Sequence, residues 1–186
     1  MVSHHGKEAS IGIEHSTEPV PNERLVRTAR DLVEASTLCA IATVAPDGGP
    51  YVNTAYFACM NDFRLVWLSH PDARHSQNLA ERTRAAIVVY DSSQNWGKPD
   101  RGIQLFGEAR EVGGSEAYEA ARVYGRRFSE YEKEDLGAYR FYLFAPDQVK
   151  LFDEPEFGPG RFVVAYPDAD GGLRWASTLV YSSGSG

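Results

Sequence analysis

The sequence predicts a mainly β protein, an antiparallel barrel or sandwich with helices only at its edges. Short apolar runs with a period of two follow one another, separated by Gly, Pro, Asn and Asp turns, and strands do not alternate regularly with helices. The chain also has no G-x-G-x-x-G segment and no Walker loop. This argues against a dinucleotide-binding fold and against a P-loop enzyme.

Composition limits the function classes. A chain of 186 residues with 42% hydrophobic content is long enough for one domain with a sizeable core. The net charge of −7 argues against nucleic acid or an anionic membrane as a partner, because both bind basic surfaces. No apolar run has the length of a membrane span and the first residues lack the apolar part of a signal peptide, so we expect a cytoplasmic protein.

Three segments differ in composition. Residues 1–20 mix Gly, Ser, His and Glu without periodicity, which predicts a flexible N-terminal arm. Residues 21–168 carry the periodic apolar runs and form the predicted domain, and residues 169–186 form a C-terminal hairpin or tail. Cys39 and Cys59 lie inside apolar runs without metal-ligand spacing, so we expect buried free thiols and no metal site.

The elements follow in a simple order. A helix begins at Pro21-Asn22 and buries one apolar face. Three strands joined by tight turns then form an antiparallel meander over residues 38–45, 50–60 and 63–69. Further strands are predicted at 85–91, 102–112, 140–146, 148–153, 161–167 and 173–181, with helices at 73–83 and 115–131.

Two loop features are predicted to have a role. Gly102 and Gly107 lie within one strand, which indicates a bulge or a close approach of the backbone to something flat. The loop over residues 92–101 carries an exposed aromatic residue, Trp96, which is a candidate lid or dimer contact.

The stretch from Phe63 to Leu79 is the strongest candidate site. A strand ends at Ser69, a turn follows, and a helix begins near Ala73 with Asp72 as its predicted N-cap. A hydroxyl, an Arg and a His beside the open N–H groups of a helix start can bind an anion. The alternative is an ordinary strand-turn-helix with a solvated basic turn, and Asp72 would repel an anion unless its carboxylate faced outward.

Four segments follow one another in a recognisable order. They are PYVNTAYFA at 50–58 after a PDGG turn, WLSHPDARHSQNL at 67–79, IVVYD at 87–91 with GIQLFGEA at 102–109, and VKLFDEPEFGPGRFV at 149–163. Together they resemble the flavin-binding split β-barrel family, that is, the pyridoxamine 5′-phosphate oxidase-like proteins. The resemblance covers residues 22–166. It implies an antiparallel split β-barrel and a homodimer that holds FMN between its subunits, with F420 or haem as the cofactor in some branches.

The resemblance also implies which residues bind the cofactor. The strand residues Asn53 to Ala58 are similar to those laid against the flavin ring, and His75 stands where a Lys is common, so that affinity should depend on pH. The positions implied are Asn53, Thr54, Ala55 and Tyr56; Trp67 and Leu68; Ser69, Arg74 and His75 for the phosphate; Gly102, Ile103 and Gln104; and Phe152 and Arg161.

The expected function is that of an FMN-dependent oxidoreductase acting on an unidentified small molecule. In such an enzyme the flavin carries the redox chemistry, so no catalytic side chain is assigned. The alternatives are a flavin-binding protein without turnover, and a protein that uses F420 or haem. Members of the resembling family that oxidise pyridoxine or pyridoxamine phosphate have an Arg and a His just before the terminal Arg. In this chain, residues 156–160 contain neither. We therefore do not expect oxidation of those substrates.

Overall fold

The computed structural model describes residues 12–133 and 136–182, which form nine strands, four α-helices and one 3₁₀ helix. The strands are β1 (Gly12–Ser16), β2 (Leu38–Val44), β3 (Pro50–Cys59), β4 (Leu65–Ser69), β5 (Arg84–Tyr90), β6 (Arg101–Glu111), β7 (Arg140–Asp153), β8 (Arg161–Pro167) and β9 (Leu173–Ser182). The helices are α1 (Asn22–Glu34), α2 (Arg74–Glu81), α3 (Gly114–Arg127), α4 (Glu154–Phe157) and the 3₁₀ helix Ser129–Lys133.

The strands form one antiparallel sheet that closes on itself. Its order is β1-β9-β8-β7-β4-β3-β2-β5-β6, and β6 also pairs with β7. That last pairing closes six strands, β7-β4-β3-β2-β5-β6, into a barrel, from which β8, β9 and β1 extend as an outer sheet. The prediction of a mainly β fold with peripheral helices, an antiparallel barrel, is confirmed.

The barrel interior follows from strand alternation. Along β2, Cys39, Ile41 and Thr43 are buried, and their partners on β5 include the buried Ile87. Helices α1 and α2 add Leu25, Leu32 and Leu79 to this same apolar core. A second, smaller core lies under α3, which therefore covers the outside of β4.

A bulge bends the longest pair of strands. The predicted strands at 140–146 and 148–153 are one strand, β7, which pairs with β6 along its length with a register shift at Phe106/Gly107. A Cβ on Gly107 would lie 2.2 Å from the Ala145 carbonyl oxygen. The predicted bulge at Gly107 is therefore present, and glycine permits the backbones to meet there.

Three local predictions differ from the structure. Gly12–Ser16, predicted as part of a flexible arm, pairs with β9 because backbone hydrogen bonds need no apolar periodicity. Residues 1–11 lie outside the described residues. Phe63, predicted to begin a strand, has φ 64° in the turn before β4, and α3 ends at Arg127, before the predicted boundary. None of the described helices is long and apolar enough to cross a membrane.

Candidate functional site

One edge of β3 is open next to the end of β4. Strand β2 pairs with β3 from Pro50 to Tyr56, whereas β4 pairs with β3 only from Phe57 to Cys59. Within the described strands, residues 50–56 therefore have a neighbouring strand on one side only. Backbone N–H and C=O groups on an unpaired edge are available to a ligand. If the register with β4 continued, Ser69 would stand opposite Ala55.

Hydroxyl groups tie the end of β4 to the start of α2. Ser69 Oγ lies 2.8 Å from His75 Nε2, and Ser76 Oγ donates to Ser69 Oγ at 3.1 Å. Ser69 and Ser76 are both buried. The strand end and the first turn of the helix thus hold each other in place at the open edge of β3.

Arg74 and His75 differ in charge at neutral pH. Burial lowers the pKa of His75 below its usual 6.5, so its ring is neutral. Arg74 is exposed, and in the described part of the chain no hydrogen bond or ion pair engages its guanidinium. Helix α2 has no acidic residue in its first turn. The positive charge of this site is therefore that of Arg74 and the helix start.

The prediction that Asp72 is the N-cap of α2 is wrong, and the Asp72 carboxylate would not repel an anion bound at the helix start. Ala73 is the N-cap, and no side chain caps the helix. The backbone N–H of Asp72 donates to His70 Nδ1 at 3.2 Å, and the Asp72 side chain is 85% exposed, 3.7 Å from the same nitrogen. Because the carboxylate faces outward, the N–H groups at the start of α2 are not occupied by it.

Asn53 places an unpartnered acceptor at the open edge. Its register partner is the core residue Ile41, so its side chain lies on the interior side of β3. Nδ2 donates to the Thr54 carbonyl at 3.3 Å, whereas Oδ1 is buried without a hydrogen bond. A buried acceptor without a donor is unfavourable by about 1–3 kcal/mol, which a ligand donor would offset.

The other predicted residues on these strands have different surroundings. Thr54 and Tyr56 are exposed on the outer side of β3. Trp67 is fully buried and stacks on Tyr142, and Leu68 packs into the core under α3. The indole Nε1 of Trp67 is buried without a hydrogen-bond partner.

The second group of predicted residues lies on the opposite flank of the barrel. Gly102 pairs with Phe152, and a Cβ on Gly102 would lie 2.3 Å from that ring, so the predicted flat object beside Gly102 is Phe152. Ile103 is a core residue, whereas Gln104 faces outward. Arg161 lines a cavity of about 100 Å³ with Arg24 and Phe157.

Within one chain the two groups are apart. From the open edge of β3 to the strands of Gly102 and Phe152 the sheet crosses β2, β5 and β6. With about 4.8 Å between strands, the path along the sheet in this direction is about 15–20 Å. The structure brings Asn53–Tyr56, Ser69, Arg74 and His75 to one flank, and Gly102–Gln104, Phe152 and Arg161 to the other.

An uncovered apolar surface connects the two flanks. We call it the outer face, defined by the outward residues of β3, β2, β5 and β6: Val52, Ala40, Ala42, Ala86, Val88, Gln104 and Phe106, which line a groove of about 310 Å³. Val52 is 63% exposed. This surface was not predicted from the sequence, although small apolar residues at alternate outward positions are a readable signal of it.

The thiols are unreactive. Cys39 and Cys59 form no disulfide, as predicted, although Cys59 is only partly buried. Burial raises the pKa of Cys39 to about 12 and that of Cys59 to about 11, so both are protonated at neutral pH.

Comparison with known proteins identifies the family. A family model described as pyridoxamine 5′-phosphate oxidase matches residues 25–153, which is more than half of the chain. The chain belongs to the pyridoxamine 5′-phosphate oxidase family. The family resemblance predicted from the four sequence segments is thus confirmed. A comparison with curated proteins found no match to this chain.

Solved structures share the fold of this family member. A protein of unknown function from Agrobacterium tumefaciens has a TM-score of 0.60 and 22% identity, over 71% of this chain but only 57% of its own. A heme binding protein from Mycobacterium smegmatis has a TM-score of 0.60 and 13% identity, over 86% and 88% of the two chains. A protein of the pyridoxinephosphate oxidase family from Clostridium acetobutylicum, related to general stress protein 26, has a TM-score of 0.59 and 13% identity, over 81% and 99%.

Proposed function

We propose that this member of the pyridoxamine 5′-phosphate oxidase family binds FMN and is an oxidoreductase acting on a small molecule. The observation that carries the proposal is the open edge of β3, residues 50–56, beside the Ser69–His75 pair and the exposed Arg74. FMN has a planar ring with donors and acceptors at one end and a phosphate at the other. The open edge of β3 matches the ring, and the group of Ser69, Arg74 and His75 matches the phosphate.

The phosphate end is matched by charge and geometry. The guanidinium of Arg74 has the fork that binds phosphate oxygens bidentately, and it is exposed. The start of α2 is uncapped by side chains and the Asp72 carboxylate is turned away. His75, neutral and bonded to Ser69, adds a hydrogen-bonding ring but no charge.

The ring end is matched by backbone. The edge of β3 over Asn53–Tyr56 offers N–H and C=O groups in extended conformation. Asn53 Oδ1 adds a buried acceptor that needs a donor. When bound, the flavin supplies hydride or electron transfer. The chain's own contribution is to orient the ring, to hold the phosphate and to exclude water.

A homodimer would complete the site. The two flanks that carry the predicted cofactor residues are joined by the apolar outer face. Consider a two-fold axis that lies in this face and runs parallel to its strands. It would place the β3 flank of one copy against the β6 flank of the other, and the reverse. Phe152 and Gln104 of one copy would then stand near Ser69 and Arg74 of the second. Isologous contacts of this kind are the commonest symmetry of oligomers.

Haem and F420 are the alternative cofactors. One solved neighbour is named as a heme binding protein, which keeps haem among the candidates. Haem iron takes an axial ligand such as His, Cys, Met or Tyr. At this flank Nε2 of His75 is engaged with Ser69 Oγ, whereas Tyr56 is exposed and would be the candidate axial ligand. The absorption spectrum of the purified protein distinguishes the three cofactors.

The experiment that tests the proposal is reconstitution. We expect the purified protein to bind about one FMN per chain by titration calorimetry, and the bound FMN to be reduced by NADH or NADPH and reoxidised. Binding without redox cycling would identify a flavin-binding protein without turnover. No binding of FMN would reject the proposal.

Pyridoxine 5′-phosphate is not expected to be the substrate. Residues 156–160 contribute no cation, and Glu156 is held by Arg24 at 2.6 Å and by Arg27 at 3.2 Å. A dianionic substrate needs a second basic cluster to offset its desolvation. We expect no peroxide above background when the FMN-loaded protein is mixed with pyridoxine 5′-phosphate, and rapid peroxide formation would contradict this assignment.

A further inference from the structure

The loop between β5 and β6 exposes an indole above a hydrogen-bonded base. Trp96 is 101% exposed. The base of the loop is closed by Gln94, whose Nε2 donates to the Asp91 and Arg101 carbonyls at 2.9 Å each and whose Oε1 accepts from the Arg101 N–H at 2.7 Å. Asp91 also accepts hydrogen bonds from Ser93 N and Oγ, both at 2.8 Å.

A Trp exposed on a hydrogen-bonded loop next to the apolar outer face is suited to contact a partner that covers that face. A Trp buries about 150–250 Å² when it is covered, and its exposure forfeits that stabilisation. The side-chain hydrogen bonds within the loop already restrict its conformations. Less conformational entropy of the loop is therefore lost when a partner binds. The loop is thus preorganised to insert Trp96 into another surface.

The loop lies at the same flank as Phe152. It connects Tyr90, the last residue of β5, to Arg101, the first of β6. At its far end, Asp100 and Glu154 exchange two hydrogen bonds, from Asp100 N–H to Glu154 Oε2 at 3.2 Å and from Glu154 N–H to the Asp100 carbonyl at 3.0 Å. The loop that carries Trp96 therefore starts and ends on the flank of β6 and Phe152, across the outer face from Ser69 and Arg74.

The size of the outer face favours a second copy that also uses this loop. Four strands about 4.8 Å apart, each about 23 Å long, give a footprint of about 400 Å². A standard interface buries about 800 Å² on each partner. The outer face alone falls short, and an exposed Trp at its border adds a large part of the difference.

We propose that Trp96 enters the site of a second copy of this chain, where its indole covers the ring of the ligand held along the open edge of β3. This inference rests on the proposed function for the nature of the ligand. The two-fold axis that runs along the strands places the β5–β6 loop of one copy over the Asn53–Tyr56 flank of the other. Each site would then be built from Ser69, Arg74 and His75 of one subunit and Trp96 of its partner.

Hybrid dimers test this arrangement directly. Trp96→Ala and Arg74→Ala chains, each with its own affinity tag, are co-expressed and the mixed dimer is purified through both tags. If Trp96 acts across the interface, one site of each mixed dimer carries both defects and the other carries none. We expect half of the sites to bind FMN with wild-type affinity, while the Trp96→Ala homodimer binds about tenfold more weakly. A mixed dimer without a wild-type site overturns the proposal.

A second measurement does not depend on FMN. The difference between the emission spectra of the wild type and Trp96→Phe isolates the emission of Trp96. We expect this emission to be blue-shifted and protected from acrylamide at micromolar concentration, and to become exposed on dilution as the dimer dissociates. If FMN fails to bind but this protection is found, the proposed function fails while the interface stands. If Trp96 is quenched as strongly as a free indole at micromolar concentration, where light scattering shows a dimer, the inference is overturned.

Discussion

Arg74 and His75 are consecutive, yet the first turn of α2 gives them different environments. Arg74 is exposed to solvent and offers a guanidinium cation. His75 turns toward Ser69, and burial lowers its pKa. In the proposed phosphate site the two residues would therefore act in different ways, one by charge and one by position.

Replacing Arg74 should weaken FMN binding more than replacing His75 at neutral pH. Loss of a charge-assisted hydrogen bond to phosphate is worth about 1.5–3 kcal/mol, which is about ten- to a hundredfold in affinity. Titration calorimetry with Arg74→Ala and His75→Ala measures both effects. Arg122→Ala, which removes an exposed Arg from α3, is the control. Equal affinities for the wild type and Arg74→Ala would reject the phosphate assignment.

His75 should make folding stability depend on pH. Because its pKa is lowered in the folded state, the unfolded state binds more protons when the pH falls below the usual 6.5. Its contribution to stability is present above that pH and decreases as the pH falls toward the folded-state pKa. Urea midpoints at pH 7.5 and 5.5 should differ less in His75→Gln than in the wild type. His15→Gln, on the exposed strand β1, should behave like the wild type.

At the scale of elements, β7 links the two parts of the sheet. Its first residues pair with β4 and its later residues with β8, while β6 runs along its other side throughout. One strand can serve both because the bulge at Phe106/Gly107 bends the pair where the sheet leaves the barrel. The shape of the barrel therefore depends on a close backbone contact at a single glycine.

Gly107→Ala should destabilise the protein strongly. The new Cβ would meet backbone atoms, with the Ala145 carbonyl oxygen at 2.2 Å and Pro146 Cα at 2.7 Å, and these cannot rotate away. Overpacking of this kind reduces the free energy of unfolding by about 1–3 kcal/mol or more. Gly113→Ala is the control for steric overlap, since its Cβ would have no neighbour within 4 Å, and placing an Ala at the N-cap of α3 should cost only about 0.5–1 kcal/mol. Chemical denaturation that gives equal stabilities would contradict the role of this contact.

At the scale of the whole molecule, helices cover some surfaces of the barrel and leave the outer face bare. Helix α3 packs on β3, β4 and β7, and α1 and α2 contribute to the interior core. No described helix or strand covers the outward residues Ala40, Ala86 and Val88. Each flank carries some of the predicted cofactor residues, and the apolar face between the flanks is uncovered. A homodimer would bury this face and bring the two sets of residues together.

A charge on the outer face should separate the dimer. In Ala86→Arg, an unpaired guanidinium would be buried between two apolar surfaces, which is unfavourable by several kcal/mol. We expect a monomer by light scattering, with FMN affinity reduced. Tyr118→Arg, on the exposed side of α3, should remain dimeric. A monomeric wild type would contradict the dimer, and a dimeric Ala86→Arg would place the interface elsewhere.

Features that depend on neighbours in the chain were predictable from the sequence. The alternation in LCAIATV and AAIVVY, the turn after Ser69 and the helix that carries Arg74 are local patterns, so the β class, most strand positions and the family could be predicted. The candidate site was predictable to the same extent, because Ser69, Arg74 and His75 lie within one strand-turn-helix.

Tertiary structure alone decided which elements meet. The pairing of β6 with β7 that closes the barrel, the addition of Gly12–Ser16 to β9, and the open edge of β3 are choices of backbone partner. Backbone hydrogen bonds are the same for every residue type, so sequence periodicity does not specify them. Two further features also depend on tertiary contacts. They are the outward direction of the Asp72 carboxylate and the separation of Phe152 and Arg161 from Ser69.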